Sequence, residues 1–171
     1  MDKGYINIYT GNGKGKTTAA FGLAVRALLS GKSVFIGQFV KDMKYNETKL
    51  DEHFENISIK QLGIGCFIDR EPCKNDIEAA YEGLRECGEI LKNGKYDLVI
   101  LDEITIALYF KLFKVDEVIE ILKNKSYKTE VVLTGRYAPK ELIDIADLVT
   151  EMVEVKHYYT QGVLSRDGFD H

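Results

Sequence analysis

Nine consecutive residues, Thr10-Gly11-Asn12-Gly13-Lys14-Gly15-Lys16-Thr17-Thr18, gather three glycines, two lysines and three hydroxyls. Glycines let backbone amides turn inward onto an anion, lysines add compact positive charge, and a hydroxyl directly after a lysine can sit on Mg²⁺. An alternating run, Tyr5-Ile6-Asn7-Ile8-Tyr9, precedes the loop, and Ala19, Ala20, Leu23, Ala24, Ala27 and Leu28 follow at helical spacing. A strand, a glycine-lysine loop and a helix N-terminus in that order cradle a polyphosphate. All nine residues, Thr10 through Thr18, are therefore expected to bind a nucleoside triphosphate, with Lys16 reaching its phosphate oxygens. The strict phosphate-loop pattern wants glycine at position 10, where Thr10 stands. A Gly-Asn-Gly hairpin turn is the alternative; the helical stripe after the loop speaks against it.

Asp102-Glu103 directly follows the unbroken apolar run Leu98-Val99-Ile100-Leu101. Such a run fits a strand buried on both faces, so both carboxylates emerge at a strand's carboxyl end. Thr17, Asp102 and Glu103 then form a candidate oxygen-donor set for Mg²⁺ beside the phosphates. An acidic pair that caps the following helix is the alternative. Glu103 could also be a base that prepares water for attack. Arg136, in Thr134-Gly135-Arg136, lies just past another strand end, where an arginine can contact phosphate or stay solvated.

These residues need a framework to hold them. Apolar runs alternate with helical patterns along the chain, which predicts βαβ units around a mostly parallel sheet in a three-layer α/β sandwich. Strands are predicted over 5–9, 33–39, 57–62, 98–102, 130–134 and 148–155, and helices over 17–30, 76–93, 104–113, 116–123 and 139–146. Gly31 and Gly94 should close the first two helices, and Pro139 should fall in the first turn of the last. The stretch 43–72 is the least regular.

At 171 residues the expectation is one domain over 1–171, with a substantial core. Hydrophobic residues at 45% and a formal charge of -4 suit a globular protein and argue against a primary nucleic-acid partner. Lys41 and Lys44 read as a solvated loop. The first strand begins by Tyr5, which leaves no room for a targeting segment, and the longest nearly apolar run, 104–110, is too short to span a bilayer. A cytoplasmic location without membrane attachment is the expectation. Cys66, Cys73 and Cys87 match no zinc or redox spacing and read as free thiols, and His53, His157 and His171 are scattered.

With these residues placed, the chain resembles the P-loop ATP:corrinoid adenosyltransferases over nearly its whole length. The similarity rests on residues 10–22, Gln38-Phe39-Val40-Lys41, Leu101-Asp102-Glu103, Thr134-Gly135-Arg136, residues 146–152, Val155-Lys156-His157 and Gly168-Phe169-Asp170. The resemblance implies a P-loop NTPase-like (RecA-like) fold and an unusual use of the loop. ATP is held with its triphosphate reversed, a Co(I) corrinoid attacks ribose C5′, and intact triphosphate leaves. It further implies that Lys16 and the loop amides stabilise the leaving triphosphate, with Thr17 and Glu103 on Mg²⁺ and Asp102 nearby; Lys16, Glu103 and Arg136 are the candidate catalytic residues. A homodimer and a transient flavoprotein reductase are the implied partners. Two departures stand out. Several members carry an N-terminal helical extension over the active site, whereas Tyr5 here already opens the first strand. Members also place two aromatic residues, one position apart, near the lower corrin face; the corresponding stretch is Gly65-Cys66-Phe67-Ile68, where only Phe67 is aromatic.

Two other functions share the loop and the acidic pair. One is an ATPase or small-molecule kinase acting at the γ-phosphate. The other is a nucleotide-gated module that binds a corrinoid without rapid turnover.

Overall fold

In a computed structural model of the protein, residues 3–41, 45–63 and 70–170 are described. Six strands form one sheet: β1 (Ile6–Thr10), β2 (Val34–Phe39), β3 (Ile57–Leu62), β4 (Leu98–Asp102), β5 (Glu130–Thr134) and β6 (Leu148–Glu151). Every pairing is parallel, in the order β3-β2-β4-β5-β1-β6. All carboxyl ends therefore share one rim of the sheet, the rim where ligands bind in open α/β sheets. This is the expected three-layer P-loop NTPase-like arrangement, and β5 separates the loop strand β1 from the acidic strand β4.

Among the described residues five helices cover the sheet: α1 (Lys16–Leu29), α2 (Lys74–Asn93), α3 (Ile104–Tyr109), α4 (Val115–Lys123) and α5 (Lys140–Ile145). The strand period of two divides the core between them. Phe35, Phe39, Val99, Leu101, Val131 and Leu133 point into the cluster containing residues of α2 to α5. Val34, Ile36, Leu98, Ile100 and Val132 point the other way and pack on Ala20, Phe21, Ala24, Ala27 and Leu28 of α1. Asp102 shares the parity of Leu98 and Ile100, so its side chain falls on the α1 face, beneath the first turn of that helix.

Most boundaries shift by one or two residues from the sequence reading, and three of the differences have a local cause. The last strand ends at Glu151, because Met152 leaves the ladder and its carbonyl accepts the Gly13 N–H at 2.7 Å. The third helix stops at Tyr109, and Lys111 just beyond takes a left-handed φ of 57°. Pro139 is the N-cap of α5, with ψ 149°, one residue before the helix. A 3-10 turn, Asn46–Glu52, crosses the irregular stretch, and a second spans Tyr158–Gln161. Among the described residues no helix is long and apolar enough to cross a membrane.

Candidate active site

The phosphate loop leaves β1 at Thr10 and enters α1 through Gly15, whose φ of 118° only glycine adopts at low cost. Among the described residues no side chain caps the start of α1. Its first-turn N–H groups, at Lys16 through Thr18, lack intrahelical acceptors by construction and point out of the helix end. Lys16 is buried and donates to the Gly13 carbonyl at 2.7 Å. Burial pushes its ammonium below the ordinary lysine value; the Glu103 charge opposes that shift and Arg136 adds to it.

Asp102 is fully buried at the end of β4 and is the hub of the site. Its Oδ1 accepts from the Thr17 hydroxyl at 2.9 Å and the Thr134 hydroxyl at 2.6 Å. Its Oδ2 accepts from Gln38 Nε2 at 3.1 Å and Lys41 Nζ at 2.6 Å. Burial pushes the carboxyl up, but the charge and hydrogen bond of Lys41, with the bonds from Thr134 and Gln38, outweigh it and hold Asp102 below the ordinary carboxylate value.

Glu103 sits at the sharp exit from β4 with φ 60°, a left-handed conformation uncommon for a side chain of this kind. Its N–H donates to Thr134 Oγ1 at 3.0 Å, which fixes the turn and aims the carboxylate into the cavity. Burial, reinforced by the Asp102 charge, pushes its carboxyl up; Lys41, Lys16 and Arg136 pull it back only in part. Gly135, at φ 132°, makes room for this arrangement. A Cβ there would meet Thr105 Oγ1 at 2.3 Å and Glu103 Oε2 at 3.2 Å.

These groups open on a cavity of about 580 Å³. Lys14, Gly15, Lys16, Thr17 and Thr18 line it on the loop side, Glu103 and Arg136 at the strand ends, and Lys41 just past β2. The opposite wall comes from the C-terminal segment, with His157, Tyr158 and Phe169 among its residues. Thr10, Gly11, Asn12 and Gly13, the first part of the loop, do not line the cavity, and a Cβ at Gly11 or Gly13 would meet the Met152 carbonyl at 2.4 or 2.7 Å. Thr10 closes β1, where its hydroxyl accepts the Ala138 N–H at 3.4 Å and its carbonyl accepts the Met152 N–H at 2.8 Å. A threonine at the position where the strict pattern has glycine thus fastens the loop to its neighbours. Phe67, with Cys66 and Ile68, lies outside the described residues.

A family model described as ATP:corrinoid adenosyltransferase BtuR/CobO/CobP matches residues 2–171. The chain belongs to this family. It is 37% identical over 173 residues to the corrinoid adenosyltransferase of Sinorhizobium sp, spanning 99% of this chain and 81% of that protein. It is 33% identical over 172 residues to the corrinoid adenosyltransferase of Escherichia coli strain K12, spanning 99% and 87%. The corrinoid adenosyltransferase of Pseudomonas aeruginosa is 33% identical over 171 residues, spanning 99% and 84%.

In this adenosyltransferase the structure brings together Lys16, Thr17, Asp102, Glu103 and Arg136, five residues singled out by sequence. It corrects the reading of Lys41 as a solvated lysine. Its side chain is only 12% exposed and pairs with Asp102, with Glu47 Oε1 3.7 Å away. No local pattern shows this, because Asp102 comes within reach of Lys41 only when β2 pairs with β4. Gln38 and Thr134 also escaped notice as site residues. The parity of their strands, shared with Ile36 and Val132, places them on the α1 face beside Asp102.

Proposed function

We propose that the phosphate loop of this adenosyltransferase holds ATP by its triphosphate as a leaving group, while a reduced corrinoid in the same cavity attacks ribose C5′. Family membership makes the chain an enzyme that adenosylates a corrinoid with ATP; the proposal concerns which residues do so and how. The electron pair of Co(I) forms the Co–C bond, the C5′–O bond breaks, and its pair leaves on triphosphate. Cobalt ends formally as Co(III). Because Co(I) supplies the nucleophile, the protein's tasks are positioning and stabilising the charge that develops on the departing oxygen. Lys16, the amides at the start of α1 and Arg136 serve that charge.

The observation that carries this reading is the cavity itself. One side presents Lys16 and a helix N-terminus with no side-chain cap, and the other presents His157, Tyr158 and Phe169. A polyanion on one side and flat organic groups on the other match its chemistry.

Mg²⁺ belongs to the same proposal, and the donor set fits it. Thr17, Asp102 and Glu103 offer only hard oxygen atoms. A carboxylate has about four lone-pair sites, and those of Asp102 accept from Thr17, Thr134, Gln38 and Lys41. Asp102 therefore orients Thr17: by accepting its hydrogen bond it leaves the Thr17 lone pairs available to a cation. Thr17 and Glu103 would hold the ion, which when bound neutralises charge on the triphosphate oxygens. Phosphate and water oxygens would complete its shell.

The proposal extends to one domain over 1–171, acting in the cytoplasm as a homodimer supplied by a flavoprotein reductase. Edge strand β6 exposes both faces, including Leu148 and Val149, an edge that a second subunit can cover.

The test is incubation with ATP, Mg²⁺ and a chemically reduced corrinoid, following the cobalt spectrum and the phosphorus products together. Adenosyl transfer gives a Co–C bond and one inorganic triphosphate per cobalt. ADP as the product would overturn the reading, as would corrinoid binding without turnover.

A further inference from the structure

Lys14, expected from sequence to contact phosphate, is engaged elsewhere. An ammonium group has three N–H donors. Here Lys14 donates to the Tyr158 hydroxyl at 2.8 Å, to the Phe169 carbonyl at 2.7 Å and to the Asp170 carboxylate. All three acceptors belong to the C-terminal segment. Asp170 is in turn the centre of a cluster. Besides Lys14 it accepts from the Tyr158 hydroxyl, from the Arg166 N–H at 3.0 Å and from Arg166 Nε at 3.1 Å. The Arg166 guanidinium lies over the Tyr158 ring at 4.9 Å and the Phe169 ring at 5.3 Å.

The segment is tied on its other side as well. Asn46 Nδ2, in the 3-10 turn after β2, donates to Asp167 Oδ1 at 2.5 Å. Residues 158–170 thus form a strap that crosses from the phosphate loop to the β2–β3 connection. The cavity lies beneath it, with Tyr158, Phe169 and Asp170 on its wall. The strap has little core of its own: Leu164 and Phe169 are each 74% exposed. Polar ties, and not apolar burial, fasten it.

We propose that Lys14 and Asp170 are a positioning pair which clamps this strap over bound ATP, so that Lys14 acts on the nucleotide through the strap and not as a phosphate ligand. The proposal rests on ATP occupying the phosphate loop. A clamp of this kind retains ATP and leaves the chemical step to other residues. It therefore acts on KM for ATP, with kcat at saturating ATP little changed. Losing either side chain breaks the bond they share, and each also loses its own further ties within the strap, so the two losses overlap without being identical.

The experiment uses the full chain and a double-mutant cycle: wild type, Lys14→Ala, Asp170→Ala and the double variant. KM for ATP and kcat are measured with saturating reduced corrinoid, alongside thermal unfolding. Because the pair is partly exposed, each single variant should raise KM for ATP by roughly three- to tenfold. The double variant should lose clearly less than the sum of the singles, and Asp170→Glu should recover part of the loss. Tryptic cleavage after Lys156 and Arg166 supplies a second readout: saturating ATP should slow it in wild type and not in Asp170→Ala.

Three results overturn the clamp. Additive losses, or a Lys14→Ala defect far above that of Asp170→Ala, mean that Lys14 binds phosphate itself. A fall in unfolding temperature with KM unchanged means that the pair is structural only. Equal protection of the strap by ATP in wild type and Asp170→Ala means that the pair does not hold it. Lys16→Ala separates the underlying reading: if that variant binds ATP as wild type does, the nucleotide is not on the loop.

Discussion

The Thr17 hydroxyl donates across 2.9 Å to a fully buried carboxylate, Asp102, that lies two strands away from its own loop. The bond joins the phosphate loop to the acidic strand and sets the direction of the Thr17 oxygen. Thr17→Val keeps the shape and removes that oxygen. We expect a stability loss of about 1 kcal/mol for the missing bond. Adenosyl transfer should fall much further and need far more Mg²⁺ for its residual rate. A Mg²⁺ titration of Co–C bond formation checks this, and an unchanged Mg²⁺ midpoint contradicts the ligand role.

Lys41 bears on acid stability. Asp102 has its folded value held below the ordinary carboxylate range, against burial, chiefly by the Lys41 charge. A depressed carboxyl contributes stability above its unfolded pKa of about 3.9, and that contribution is lost as pH falls through the lower folded value. Lys41→Met removes the opposing charge, so burial prevails and the Asp102 value rises. The acid limb of unfolding should move to higher pH, and stability at neutral pH should fall by roughly 3 kcal/mol because a buried charge loses its partner. Unfolding followed by circular dichroism from neutral to acid pH checks both. An acid limb in the wild-type position contradicts the assignment.

Much of this site was legible before the fold was known, because its chemistry is written in adjacent residues. The glycine-lysine loop and the Asp102-Glu103 pair each sit beside a strand whose composition marks its end. The register of β4 even fixes the face of Asp102, through Leu98 and Ile100. What escaped depends on pairing between distant strands. Lys41 reads as a loop lysine until β2 is laid beside β4, with Gln38 opposite Asp102. Lys14 reads as a phosphate ligand until residues 158–170 fold back onto it, a contact spanning 156 positions to Asp170 that no local pattern announces. The exit of Met152 from the last strand is equally non-local, since its cause is the Gly13 amide.

Gly135 allows a direct test of the packing behind Glu103. Alanine there must adopt φ 132° and place its Cβ 2.3 Å from Thr105 Oγ1. We expect Gly135→Ala to lose roughly 2–4 kcal/mol and to displace the Glu103 carboxylate. Urea unfolding measures the first effect, and a reduced kcat in whatever folded protein remains measures the second. Wild-type stability would contradict the close approach described here.

Lys16→Ala addresses the charge on the leaving group. Its ammonium already sits in the cavity wall at the start of α1, so removing it should leave the fold intact. The rate of Co–C bond formation should fall by about 10²–10³, the scale of losing one preorganised stabiliser of developing charge. Rapid-quench or stopped-flow kinetics at saturating ATP reads it. Retention of more than half the wild-type rate contradicts the role.

The central claim is that carbon and not phosphorus is attacked, and ATP carrying ¹⁸O at the oxygen that bridges ribose C5′ and the α-phosphorus tests it most directly. Cleavage of the C5′–O bond sends that label entirely into inorganic triphosphate and leaves none in the adenosyl product, which is the result the account predicts. Triphosphate free of label, or ADP and phosphate formed in step with cobalt turnover, would contradict it.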